Sequence, residues 1–137
     1  TDRCNYRCGY CMPTVEPSHL GREQVLSADE LVTIIAALKQ VGVRRVRLTG
    51  GEPMVRKDLI PIVVRLAKLG LDELSLSSNG ERLSELAAPL RDAGLSRVNI
   101  SLDAGTLEAI DTAAEGLGLT RSGFLTMAAL NEIRGGH

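Results

Sequence analysis

The chain has 137 residues, 44% hydrophobic and 24% charged, a balance that suits a folded domain with its own core and excludes a disordered tail. Its 16 basic side chains against 17 acidic ones leave a formal net charge of −1, so nothing draws it generally to nucleic acid or to a membrane surface and any anion site must be local. Apolar runs such as "LIPIVVRLAKLG" are broken by charge well short of the roughly 18 residues a membrane span needs, and no signal-peptide pattern is present.

In chain order, the first feature is "CNYRCGYC". Cys4, Cys8 and Cys11 are the only cysteines, spaced Cys-x3-Cys-x2-Cys. Thiolates are the standard ligands of iron-sulfur clusters, and three of them on one short loop leave one iron of a cubane open. The alternatives are three small buried cysteines, or a zinc site completed by His19. An odd number of clustered thiols fits a reducing compartment, so the sequence reads as cytoplasmic. The chain opens "TDRCN" with no methionine and no element ahead of the cysteines, which suggests that an upstream part is missing.

A polar loop, "TVEPSHLGREQV", precedes "SADELVTIIAALKQVG", whose Leu31, Ile34, Ile35 and Leu38 mark one helix face. Ser27 and Glu30 form a capping-box pattern, and Gly42 is placed to end the helix. "RRVRLTGGEP" predicts a strand running into a glycine turn. A second helix is expected from Asp58, as N-cap, to Leu69, with Arg56 and Lys57 serving only as its approach. "DELSLSSNG" predicts the next strand, "ERLSELAAPLRDAG" a helix that Pro89 should break or kink, and "SRVNISLDAG" a third strand. Strand then helix, repeated, is the mark of βαβ units and a parallel sheet.

Within each strand polar and apolar residues alternate. Arg45, Arg47 and Thr49 alternate with Val46 and Leu48; Ser75 and Ser77 with Leu74 and Leu76; Arg97, Asn99 and Ser101 with Val98, Ile100 and Leu102. Strands covered by helices on both faces would instead be continuous apolar runs. The pattern therefore predicts an α/β fold with helices on one face only, an incomplete β/α barrel whose polar face encloses a ligand space. Such sheets carry their chemistry at the C-terminal strand ends, here "TGGEP", "SSNG" and "SLDAG".

Taken in order, "CNYRCGYCMP", "LTGGEPMVRKDL", "SSNG" and "RVNISLD" closely resemble the radical S-adenosylmethionine (SAM) superfamily, and within it the GTP cyclases of molybdenum cofactor biosynthesis, over residues 1 to about 103. The resemblance implies that Cys4, Cys8 and Cys11 hold a [4Fe-4S] cluster and that the amino and carboxylate groups of SAM occupy the open iron. It implies reductive SAM cleavage to a 5′-deoxyadenosyl radical, fed by an electron donor such as flavodoxin. Gly50, Gly51 and Glu52 would receive the methionine amino group, and Ser78, Asn79 and Ser101 the SAM carboxylate or ribose. Arg45 and Arg47 would meet the triphosphate of GTP or another nucleotide. Plain readings stand beside these: a tight turn for the glycines, helix caps for Ser78 and Ser101, solvated charge for the arginines.

The family continues beyond this point into further β/α units and, in the cyclases, a second cysteine cluster, so complete GTP cyclisation by this chain alone is not expected. The tail instead predicts two short helices, one with Leu107, Ile110, Ala114 and Leu117, ended by Gly118, and one begun by Thr120 or Ser122 with Phe124, Leu125, Ala128 and Ile133. The expected division is therefore 1–103 and 104–137. Residues 97–134 also resemble a ribbon-helix-helix unit of HicB-type antitoxins. That alternative implies a homodimer whose paired strands bind DNA through Arg97, Asn99 and Ser101.

Overall fold

The computed structural model describes residues 1–8, 11 and 19–135, the side chains of Arg22 and of residues 132–135 excepted; residues 14–18 of the expected loop lie outside these. The chain forms two compact units, Thr1–Ser101 and Leu102–His137. In the first, strands β1 (Arg45–Leu48), β2 (Glu73–Ser78) and β3 (Arg97–Ile100) make one parallel sheet in that spatial order. Helices α1 (Ala28–Gln40), α2 (Leu59–Ala67) and α3 (Leu83–Asp92) precede or connect them. This is the open β/α sheet the alternation predicts.

Local chemistry explains where the elements begin and end. Ser27 closes a capping box on α1: its amide donates to Glu30 Oε2 at 2.8 Å, and the Glu30 amide donates back to Ser27 Oγ at 3.3 Å. Beyond α1 the chain reverses at Gly42, where φ is 101°, a conformation that disfavours any side chain. Two expectations are met only in part. Asp58 stands at the N-cap of α2 and its carbonyl accepts from the Ile62 amide at 3.1 Å, but its side chain caps no amide, because the Arg56 guanidinium holds its carboxylate through two bonds of 2.6 and 3.0 Å. A charged, forked donor outcompetes a single backbone amide. Pro89 likewise does not break α3, which runs on to Asp92. The proline removes one amide donor, while Leu90 beside it is buried in the core and holds the turn in place.

That core joins Ile35 of α1, Leu59, Ile62, Val63 and Leu66 of α2 and Leu90 of α3 to Leu74 and Leu76 of the central strand, with Val46, Leu48 and Val98 packed against it. All five of these strand residues have the apolar parity, so the helices cover one face. The other face carries Arg45, Arg47 and Arg97, all exposed. The alternation has exceptions. Ser75 is buried, its hydroxyl donating to the Val46 carbonyl at 3.4 Å, and in register it lies between Arg47 and Arg97. Ile100, expected inside, is 42% exposed on the outer strand.

The second unit contains α4 (Ala104–Gly116) and α5 (Arg121–Gly135). Asp103 caps α4 by accepting from the Thr106 amide at 3.0 Å, Gly118 takes φ 64° after its end, and Thr120 accepts from the Gly123 amide at 3.1 Å as α5 begins. Arg121 grips Asp111 through two bonds of 2.6 Å, joining the two helices. The ribbon-helix-helix alternative is not favoured, since its strand is already β3, hydrogen-bonded parallel to β2, not free to pair antiparallel with a second copy. No helix among the described residues is long and apolar enough to cross a membrane.

Candidate cofactor site at the strand ends

At the end of β1 the Gly50-Gly51 turn carries the N-terminal segment across it. The amide of Gly51 donates to the Thr1 carbonyl at 2.9 Å and that of Glu52 to the Arg3 carbonyl at 2.7 Å. This pairing delivers Cys4 to the strand ends. It also explains both glycines: a Cβ at Gly50 would collide with the Thr1 carbonyl oxygen and one at Gly51 with that of Arg3, and Gly50 has φ 149°.

Glu52 is the hub of the site. Its side chain is 2% exposed and accepts three hydrogen bonds, from the Met54 amide at 2.9 Å, the Ser78 hydroxyl at 2.9 Å and the Asn79 amide at 2.7 Å. A buried carboxylate persists only when its lone pairs are so occupied. The result fastens the end of β1 to the end of β2. Ser78, anticipated as a cofactor contact, is buried and spends its hydroxyl on Glu52 while accepting from the Gly80 amide at 3.0 Å. Arg82 adds a second tie, donating to the Met54 carbonyl at 2.6 Å and to Glu85 at 2.7 and 3.1 Å. Neither tie has a sequence signal, because the partners are far apart in the chain.

Asn79 extends the network to the cysteine segment. Its Nδ2 donates to Asn5 Oδ1 at 2.9 Å and lies 4.0 Å from Cys4 Sγ, while Asn5 also bonds Glu81. The Tyr6 amide donates to Cys4 Sγ at 3.4 Å. The Cys11 amide donates to the Cys8 carbonyl at 2.9 Å. All three thiols are free, Cys4 and Cys8 half-buried and Cys11 exposed. Among the described residues, however, no three His, Cys, Asp or Glu side chains converge as on a single ion, so the expected triad is present on one segment but not drawn together. His19 does not complete a zinc site: its Nδ1 lies 3.5 Å from Asp2 Oδ2, the oxygen that also accepts from the Leu20 amide at 2.6 Å. That amide bond, more than the imidazole, holds the Asp2 carboxyl below its usual range.

Ser101 is exposed at the end of β3, its amide bonded to the Ser78 carbonyl at 2.8 Å. Arg45 and Arg47 lie on the helix-free face, Arg45 in register with Glu73 and Arg47 with Ser75. Arg97 faces Glu73 at 3.7 Å.

A one-sided parallel sheet whose glycine turn, at its C-terminal ends, is crossed by the residues leading into a three-thiol segment defines a class: β/α proteins that present sulfur ligands beside their strand ends. The chain belongs to the radical SAM superfamily, whose family model matches residues 1–121. The match passes Asp103 and takes in α4. Among curated relatives, the GTP 3′,8-cyclase of Ectopseudomonas mendocina (strain ymp) is 50% identical over 104 residues, covering 75% of this chain and 31% of that protein. The GTP 3′,8-cyclase of Moorella thermoacetica is 50% identical over 104 residues, with 75% and 32% covered. That of Geobacter sulfurreducens is 46% identical over 119 residues, with 84% and 36% covered. The chain thus spans about a third of the length of these relatives. The family's cofactors are a [4Fe-4S] cluster and SAM. In donor chemistry the segment fits such a cluster: three free thiols within eight residues, reachable from solvent, and no fourth protein thiol.

Proposed function

We propose that the chain is the cluster- and SAM-binding part of a GTP cyclase of molybdenum cofactor biosynthesis, a lyase of the radical SAM type. The observation that supports this reading is the backbone pairing of Thr1 and Arg3 with Gly51 and Glu52, which anchors the residues just before Cys4 to the turn after β1. In this reading Cys4, Cys8 and Cys11 ligate the cluster, and the thiol segment closes around it as it binds, since metal binding and local ordering are coupled. When bound, the cluster and SAM supply a 5′-deoxyadenosyl radical through one-electron reduction, the electron coming from a donor such as flavodoxin. Free thiols suit the reducing cytoplasm in which such a donor works.

The chain's own residues orient and bind. The Gly50-Gly51 turn and Ser101 offer backbone and hydroxyl contacts to the methionine and ribose ends of SAM. Glu52 and Ser78 act one step removed, by fixing that turn against β2. Arg45 and Arg47 give the polar face two permanent positive charges for the triphosphate of GTP, which the identity to GTP 3′,8-cyclases favours as the nucleotide. The chain spans about a third of those relatives' length, so the reaction tested here is SAM cleavage and not cyclisation.

The test is to reconstitute the chain anaerobically, reduce it with dithionite and look for 5′-deoxyadenosine and methionine. Cleavage that disappears in Cys4→Ser, Cys8→Ser and Cys11→Ser supports the reading. Absence of 5′-deoxyadenosine above a cluster-free control would reject it.

A further inference from the structure

We propose that Asn79 is a positioning residue for Cys4, tethering the first thiol of the segment and donating toward its sulfur, in place of the direct SAM contact that the sequence resemblance implies. This rests on the functional reading above. The backbone amide and the side-chain oxygen of Asn79 are both engaged within the protein. Its backbone amide donates to Glu52 Oε2 at 2.7 Å, and its Oδ1 accepts from the Glu81 amide at 3.1 Å. That leaves two hydrogens on Nδ2. One is directed to Asn5 Oδ1 at 2.9 Å, and Cys4 Sγ lies within reach of the other at 4.0 Å. Asn5 in turn bonds Glu81, so the residue next to Cys4 is held from both sides of the turn after β2.

The residue type fits the task. An aspartate would keep the bond from Glu81 but lose both donors and set a negative charge beside a thiolate. A serine or threonine would have one donor where two are needed. Glu52, buried and bonded to the Asn79 amide, fixes the backbone from which the carboxamide projects. Position is thereby passed from β1 through β2 to Cys4. Hydrogen bonds to ligating sulfurs raise the reduction potential of an iron-sulfur cluster, so the same carboxamide is placed to ease the reduction step.

Two measurements on the full chain test this. In the cluster-free, reduced protein, iodoacetamide labelling is mapped by mass spectrometry, with Cys11 as internal reference. Asn79→Ala and Asn5→Ala should each raise the Cys4-to-Cys11 labelling ratio about fivefold, the equivalent of one modest hydrogen bond, and the double variant should exceed neither. An unchanged ratio in Asn79→Ala, or effects that multiply, would overturn the tether. In reconstituted protein without SAM, Asn79→Ala and Asn79→Asp should both lower the cluster's midpoint potential, with SAM affinity changed less than the labelling ratio. An unmoved potential together with a large loss of SAM affinity would return Asn79 to a cofactor contact. If the unsubstituted chain takes up no cluster, the functional reading fails, and the labelling arm still decides the role of Asn79.

Discussion

Removing the Glu52 carboxylate should be among the most destabilising single changes in the chain. Glu52→Ala strands the Met54 amide, the Asn79 amide and the Ser78 hydroxyl around a side chain that is 2% exposed. Each bond to a charged acceptor is worth about 1.5–3 kcal/mol. The donors share one acceptor group and part of the cost is relieved by water entry, so the loss should be about 4 kcal/mol, not the full sum. Glu52→Gln is more discriminating. Its oxygen can face Met54 and Ser78, leaving the amide nitrogen against the Asn79 N–H, or face Asn79, leaving it against the Met54 N–H. Either orientation opposes two donors, at a cost of about 2 kcal/mol. With a urea slope of about 2 kcal/mol/M, the midpoint should fall by about 2 M for Ala and about 1 M for Gln. Circular dichroism across a urea series measures both. A loss below about 1 kcal/mol for Ala, or equal losses for the two variants, would refute the hub.

The glycine turn makes a second prediction: Gly51→Ala, whose Cβ meets the Arg3 carbonyl, should cost about 1–3 kcal/mol in the same urea assay and loosen the thiol segment, because backbone must move to admit the methyl. Arg45→Ala and Arg47→Ala should each weaken GTP binding by about tenfold in calorimetry, and Lys at either site should recover only part, since a forked donor is lost. Stability should fall on acidification. Hydrogen bonds from Arg56 to Asp58, from Thr106 to Asp103 and from Arg121 to Asp111 hold these carboxyls below their usual range, so their contribution is full above the unfolded value of 3.8 and lost as pH drops through the folded ones. Thermal melts between pH 6 and pH 2 check the sign, and Asp111→Asn should flatten the acid limb.

Much of the fold is legible because its signals are local. Ser27 and Glu30 lie three residues apart and cap α1 as expected, Gly42 and Gly118 end helices in the left-handed region, and the alternation in β1 correctly puts Val46 and Leu48 toward the helices. What is illegible depends on partners distant in sequence. Glu52 meets Ser78 and Asn79, Arg82 meets Met54, and no pattern within either segment announces the other. Ser75 reads as an outward hydroxyl, yet the central strand buries it between neighbouring strands. Pro89 reads as a breaker, and tertiary burial beside it overrides the propensity. Family motifs identify the thiols and the glycine turn. They do not reveal that the glycines are also required by the carbonyls of Thr1 and Arg3.

The proposed function requires the three-thiol segment to hold a cluster with one iron open to SAM. Electron paramagnetic resonance of the anaerobically reconstituted and reduced chain, recorded with and without SAM, tests it most directly. The expected result is a [4Fe-4S] signal whose g values shift when SAM is added and that is lost in the Cys4→Ser variant. A signal indifferent to SAM, or no cluster at all, would contradict it.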